Sequence, residues 1–215
     1  MGKIVITELV SLDGVVEDPG GFGDFKHSGW GRAAAALFFT WSLDRGEEAE
    51  QFKLDETLGT EALLLGRVTY EEFAAAWPAR DDELADKFNS LPKYVVSSTL
   101  EDPEWNNSTV LDGDVVEEVS RLKRELDRDI VVHGSRRLTR TLIEHDLVDE
   151  LRLMVYPVMF GAGERLFGEL SDKKPMRLVD TRTVGDGVAI LTYEPVRDPG
   201  QDKQDVPAMT GSEAE

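Results

Sequence analysis

Hydrophobic positions in this chain fall into short, β-branched runs that alternate with longer stretches of helical spacing. Lys3–Leu12, with Ile4, Val5, Ile6, Leu9 and Val10, predicts a strand that Asp13-Gly14 breaks, and Glu17–Gly23 reads as a Pro/Gly-rich loop. Phe52, Leu54 and Leu58 give Glu47–Leu58 a helical spacing. Ala62–Leu65 is a compact buried strand stopped by Gly66, with helices over Val68–Ala76 and Asp82–Leu91 after it. Further strands are predicted at Lys93–Ser98, Thr109–Leu111, Ile130–His133 and Val148–Tyr156. Between them, Val115–Leu126 places Val115, Val119, Leu122 and Leu126 on one helical face, and Leu138–His145 forms another helix. Met176–Glu194 reads as a hairpin turning at Gly185-Asp186-Gly187.

Strands interleaved with helices of about ten residues predict an α/β protein. Its central sheet is mostly parallel, with helices on both faces and an antiparallel C-terminal hairpin at one edge. From Arg197 onward the hydrophobic signal vanishes and Pro, Asp, Gln, Ser and Glu dominate. The expected organisation is one domain over residues 1–196 and a disordered acidic tail over 197–215.

In open α/β sheets, ligands bind beyond the carboxyl ends of strands, where the following helices begin. Three such turns here carry glycine, hydroxyl or arginine groups: Gly66-Arg67-Val68-Thr69, Ser97-Ser98-Thr99 and Gly134-Ser135-Arg136-Arg137. Glycine lets backbone approach a ligand, helix-start N–H groups attract phosphate, and Arg and Thr add donors. Together the three could hold a diphosphate and a ribose phosphate; each alone also reads as an ordinary turn or cap. Arg136 and Arg137 are either a solvated helix start or phosphate partners. The G-x-G-x-x-G fingerprint is missing, since Leu166 stands where Gly161-Ala162-Gly163 would need a third glycine, and no P-loop occurs.

Charge and composition narrow the chemistry. A formal net charge of −19 argues against a nucleic-acid binder and requires any anionic cofactor to find locally concentrated positive groups. Cysteine is absent, which excludes disulfides, thiolate metal sites and cysteine nucleophiles. His27, His133 and His145 lack metal-ligand spacing, so no metal is expected. No apolar run approaches the roughly 20 residues of a membrane helix, and the first residues enter a strand pattern without signal-peptide organisation; the expected location is cytoplasmic.

Several strings resemble one family in order. They are Ser11-Leu12-Asp13-Gly14, Leu65-Gly66-Arg67-Val68-Thr69-Tyr70-Glu71, Lys93-Tyr94-Val95-Val96-Ser97-Ser98-Thr99-Leu100, and the stretch from Ile130 to Phe167 with Leu147-Val148-Asp149-Glu150-Leu151 and Pro157-Val158-Met159-Phe160-Gly161-Ala162-Gly163. They look like the dihydrofolate reductase-like, RibD C-terminal-type reductases, and span roughly residues 3–195. The resemblance implies a dihydrofolate reductase-like three-layer fold, NADPH as cofactor and a homodimer. It implies Gly66, Arg67 and Thr69 at the cofactor phosphates, Ser97 and Ser98 near the adenosine ribose phosphate, and Gly134 with Ser135 cradling the diphosphate. Where family members commonly carry paired glycines, this chain has Gly134-Ser135.

Two residues keep alternatives. Asp13 could orient substrate N–H groups or relay a proton, or could simply form an Asp-Gly turn. Trp30 could wall a planar substrate, or be a rim or core aromatic. Asp44, Glu47, Glu48 and Glu50 crowd the region where folate reductases place their pterin-binding acid, with no assured match. The leading expectation is a stand-alone NADPH-dependent reductase acting on a small planar N-heterocycle, pterin or pyrimidine-like. Riboflavin-pathway reduction is possible by resemblance, although the deaminase that often accompanies it is absent from this sequence. The alternatives are a non-catalytic NADP-binding or sensing module, or a structural dimer.

Overall fold

The computed structural model describes residues 1–31 and 46–197. In chain order the elements are β1 (Lys3–Ser11), α1 (Gly46–Gly59), β2 (Thr60–Gly66), α2 (Arg67–Ala76), α3 (Glu83–Ser90), β3 (Lys93–Val96), β4 (Ser108–Leu111), α4 (Val115–Glu125), β5 (Asp129–His133), α5 (Arg136–Glu144), β6 (Glu150–Tyr156), β7 (Met176–Val184) and β8 (Val188–Pro195). They build an eight-stranded sheet in the order β4-β3-β2-β5-β1-β6-β8-β7. The strands from β4 to β6 are parallel, and β8 and β7 close the sheet antiparallel.

Strand β1 sits between β5 and β6, with Ile4 opposite Ile130, Thr7 opposite His133 and Glu8 opposite Leu153. A strand inside a parallel sheet is covered on both faces, which is why its sequence is a continuous β-branched run rather than an alternation. Ile4, Ile6 and Val10 face α4 and α5, packing with Val119, Leu122, Leu138 and Leu142. Val5 faces the other way, into Leu63, Leu65, Tyr70, Phe88 and Trp105 under α2 and α3. Each Leu or Val buried this fully contributes about 1.5–3 kcal/mol. The predicted hairpin turn is present, with Gly185 and Gly187 at positive φ between paired Val184 and Val188.

Helix α1 keeps its apolar spacing at Phe52, which packs against the core near Tyr156, but not at Leu58. Its buried residues are Ala49, Glu56 and Thr57, while Leu58 is 44% exposed. The polar side chains turn inward because the sheet beneath offers ionic partners, described below. Asp149 is a clasp: it accepts the Ile4 N–H at 2.8 Å and ion-pairs with Lys123 and Arg197. The predicted tail beyond Arg197 and the acidic residue Asp44 lie outside the described residues.

Candidate functional site

Strands β2 and β5 are neighbours, yet the helices that follow them leave in opposite directions. Helix α2 packs on the face of Val5 and Leu65, and α5 on the face of Ile4 and Ile6. Divergent departures from adjacent parallel strands open a crevice at their carboxyl ends, the ligand site of open α/β sheets. Helices α3 and α4, which start elsewhere, are capped by Asp82 and Asp114 side chains. Helices α2 and α5, which start at the crevice, have no side-chain cap, so their first turns keep exposed donor character.

The two turns are tied together across the crevice. The Gly66 N–H donates to Ser135 Oγ at 2.8 Å, and the Ser135 N–H donates to Thr69 Oγ1 at 3.0 Å. Gly134 has φ +55°, a region that favours glycine, and a Cβ there would lie a tight 3.2 Å from Thr69 Oγ1. Ser135 follows in the same left-handed region, at φ 57° and ψ 43°. Gly66 pairs in register with Val96, so Ser97 and Ser98 begin one strand further out. Ser97 Oγ accepts the N–H groups of Thr99 and Leu100, and Ser98 is exposed.

Positive charge is concentrated at one helix start. Arg136, Arg137 and Arg140 occupy the first turns of α5, with no acidic residue in its first turn. Cations are unfavourable at the positive end of a helix dipole unless an anion joins them. Burial, with Arg140 and Arg137 beside it, holds Arg136 below the usual guanidinium range. Arg136 is ion-paired with Glu164, and Arg67 forms a forked pair with Glu71, both Nη1 contacts lying within 3.0 Å.

Beyond β1 lies an aromatic half. Trp30 meets Tyr156 edge-on at 5.3 Å and Phe160 at 5.5 Å, and its Nε1–H donates to the Glu17 carbonyl at 2.8 Å. His27 stacks on Phe160 at 5.0 Å. Asp13 lies beside this cluster and holds its loop. It accepts from Ser11 Oγ at 2.7 Å, from the Phe160 N–H at 3.2 Å and from the Gly161 N–H at 2.8 Å. The Ser11 hydrogen bond above all, with those two N–H groups, keeps Asp13 below the usual carboxylate range. The predicted residues thus gather into two groups: Gly66, Arg67, Thr69, Gly134, Ser135 and Arg136 at the crevice, and Asp13 with Trp30 around Phe160. Glu164 links them, pairing with Arg136 while its N–H donates to Glu17.

Sequence reasoning passed over the polar groups buried between these halves. On the α1 side, Lys53 Nζ donates to Thr7 Oγ1 at 2.7 Å and Glu56 Oε2 at 2.9 Å. Arg152 reaches Glu56 and Asp129, each at 3.3 Å, and pairs with Glu150 at 2.5 Å. Glu56 is pulled down to about 2, Lys53 and the other nearby cations overcoming the opposing effect of burial. His133, against Phe73 and Phe88, is pushed down to about 4, chiefly by burial and then by Lys53. On the opposite face Glu8 is 5% exposed, and its Oε1 has no hydrogen-bond partner among the described residues. The available signal was Thr7-Glu8 inside an apolar run that a central parallel strand must bury on both faces.

A cavity of about 710 Å³ lies elsewhere, lined by Tyr70, Ala74, Pro78, Leu100, Asp102 and Trp105 among others, on the outer side of α2 and α3. Its carboxylates, Glu71, Asp102 and Glu104, make it unsuited to a phosphate. Among the described residues no group of acidic or histidine side chains could hold a metal ion, and no helix is long and apolar enough to cross a membrane.

Known proteins share this architecture. The family model for the RibD C-terminal domain matches residues 2–190. The chain is 29% identical over 196 residues to the uncharacterised protein YyaP of Bacillus subtilis, covering 89% of this chain and 94% of that one. It is 25% identical over 189 residues to YwjB of the same organism, covering 87% and 95%. Among solved structures, a Shewanella sp. PV-4 protein assigned to riboflavin biosynthesis superposes with a TM-score of 0.64 at 21% identity, over 91% of this chain and 99% of that one. A pyrimidine reductase-like protein of Corynebacterium diphtheriae gives 0.55 at 13% identity, over 91% and 92%. Dihydrofolate reductase from Enterococcus faecalis, complexed with NADP(H), gives 0.52 at 15% identity, over 90% and 96%. The fold is dihydrofolate reductase-like.

Proposed function

The chain belongs to the RibD C-terminal domain family, and from that membership and the geometry of the crevice we propose that it is an NADPH-dependent reductase of a small planar N-heterocycle, pterin or pyrimidine-like. The observation that carries this reading is the pair of uncapped helix starts on adjacent strands, with Arg136, Arg137 and Arg140 at one of them in a chain of net charge −19. Such a site fits a dinucleotide diphosphate, whose charge completes the unsatisfied N–H groups and relieves the clustered arginines.

In this reading NADPH supplies the hydride, and the protein supplies placement. Gly134, Ser135 and Arg136 hold the diphosphate, and Gly66 and Thr69 close its other side. Arg67, Ser97 and Ser98 face the ribose phosphate that distinguishes NADPH from NADH. Trp30 and the rings around it wall the acceptor. Asp13, whose carboxylate is engaged by its own loop, positions that wall and is not a proton donor.

The reading is tested by following NADPH oxidation with a panel of oxidised pterins and pyrimidine-like heterocycles. Turnover that falls at least tenfold in Arg136→Ala supports it; cofactor binding with no hydride transfer to any acceptor would favour a non-catalytic NADP-binding module. The family resemblance also makes a homodimer and a cytoplasmic enzyme part of the proposal, and sedimentation of the purified chain decides the first.

A further inference from the structure

Glu8 stands out as a buried carboxyl group with one oxygen left unpartnered. It lies near the carboxyl end of β1, on the α5 face, one residue beyond the Thr7–His133 pair and therefore level with Gly134 in the next strand. Adjacent strands are about 4.8 Å apart, so Glu8 is one strand spacing from the turn proposed to carry the diphosphate. The residue is 5% exposed, and Oε1 has no hydrogen-bond partner among the described residues. A buried polar atom left without a partner costs about 1–3 kcal/mol. The other strand residues on this face, Ile4, Ile6 and Val10, are apolar, so packing alone would be served by another aliphatic side chain.

The chemistry of the group narrows what it could bind. Burial pushes Glu8 well above the usual carboxylate range, against the opposing pull of Lys53 across the sheet and the Gly134 N–H beside it. The uncharged acid offers one O–H donor and one carbonyl acceptor side by side. A primary amide offers the complementary acceptor and donor, so the two can close a paired set of hydrogen bonds.

We propose that Glu8 is a specificity-determining residue that recognises the carboxamide of the nicotinamide ring through its orphaned Oε1, one strand over from the crevice between β2 and β5. This rests on the cofactor reading above and adds to it a defined contact at the ring end. The diphosphate turn fixes one end of the dinucleotide on the α5 side, and Glu8 meets the ring on that same side.

The test is calorimetric titration of the protein, Glu8→Leu and Glu8→Gln with NADPH and with 2′-phospho-ADP-ribose, which lacks only the nicotinamide. Leucine fills the same space without polar groups, and glutamine keeps one donor and one acceptor; thermal unfolding verifies that both fold. Glu8→Leu is expected to weaken NADPH by about tenfold, the order of one or two net hydrogen bonds. The same variant should leave 2′-phospho-ADP-ribose within about threefold, and Glu8→Gln should keep NADPH within about threefold. Equal weakening of both ligands by Glu8→Leu, or of neither, overturns the assignment while the cofactor reading stands. A selective loss in Glu8→Gln overturns the uncharged-acid contact. If the unaltered protein binds neither ligand, the cofactor reading fails and takes this one with it.

Discussion

The Gly66 N–H and Ser135 Oγ, 69 residues apart in sequence, meet at 2.8 Å and close the crevice between β2 and β5. The contact has two sides. It satisfies the donor at the start of α2, and it occupies that donor with a protein hydroxyl where a ligand oxygen would otherwise sit. It also holds a non-glycine residue at φ 57°, a conformation that costs roughly 1–2 kcal/mol.

Ser135→Gly therefore exchanges one hydrogen bond for relief of backbone strain, two terms of about 1 kcal/mol each that nearly cancel. Its thermal midpoint should stay close to that of the unaltered protein, while NADPH binding tightens severalfold because the Gly66 N–H is freed. Ser135→Ala keeps the strain and loses the bond, so it should lose about 1 kcal/mol in urea unfolding.

Asp13 connects β1 to the loop carrying Phe160 through its hydrogen bonds with the Phe160 and Gly161 N–H groups. Asp13→Ala leaves those donors to water and should destabilise the protein by about 1–3 kcal/mol. Its folded-state carboxyl is shifted down, so its stabilisation is complete above the unfolded-state value near 3.9 and is lost as pH falls through the lower folded value. Limited proteolysis should cut the 157–167 segment faster in the variant. Unchanged protection would refute the loop-holding role.

Glu56 neutralises Lys53 and Arg152 beneath α1. Removing its charge leaves Lys53 without its carboxylate in a buried setting while Arg152 keeps Glu150 and Asp129, so Glu56→Gln should cost about 3 kcal/mol in urea unfolding. A loss below about 1 kcal/mol would mean that water reaches this cluster.

His133 gives a pH signature. Its value falls from the ordinary 6.5 to about 4 on folding, from burial first and then Lys53, with Glu56 opposing and Arg152 adding to the fall. A depressed value means that the neutral ring is favoured in the folded state. Its stabilisation is complete above about 6.5 and is lost as pH falls through about 4. His133→Phe, packed among Phe73 and Phe88, should flatten the acid limb of stability against pH between those values.

The alternation of β-branched runs and helices made the sheet, its mostly parallel order and the closing hairpin legible in advance. Glycine and hydroxyl residues at strand ends likewise marked the turns into α2 and α5, whereas the expected helix start after Ser97-Ser98-Thr99 is absent, because β3 runs on into β4. The buried polar groups were harder to see. In α1 Phe52 packs against the core as its spacing suggested, but Glu56 and Thr57 share that face while Leu58 is exposed, because Thr7 on β1 and Arg152 on β6 offer polar partners beneath it. Glu8 was hidden for a related reason: a strand buried on both faces has no alternation for a polar residue to violate. Asp13 carried both of its readings from the start, and its carboxylate accepts from Ser11 beside it and from the Gly161 N–H of a loop far along the chain.

Whether the uncapped starts of α2 and α5 form a dinucleotide site is decided by calorimetric titration with NADPH and NADH at low and high salt. NADPH is expected to bind more tightly, weakened by salt, by Arg67→Ala and by Arg136→Ala, with Arg67→Ala narrowing the preference over NADH. Binding of neither dinucleotide, or equal affinities that Arg136→Ala leaves unchanged, would contradict it.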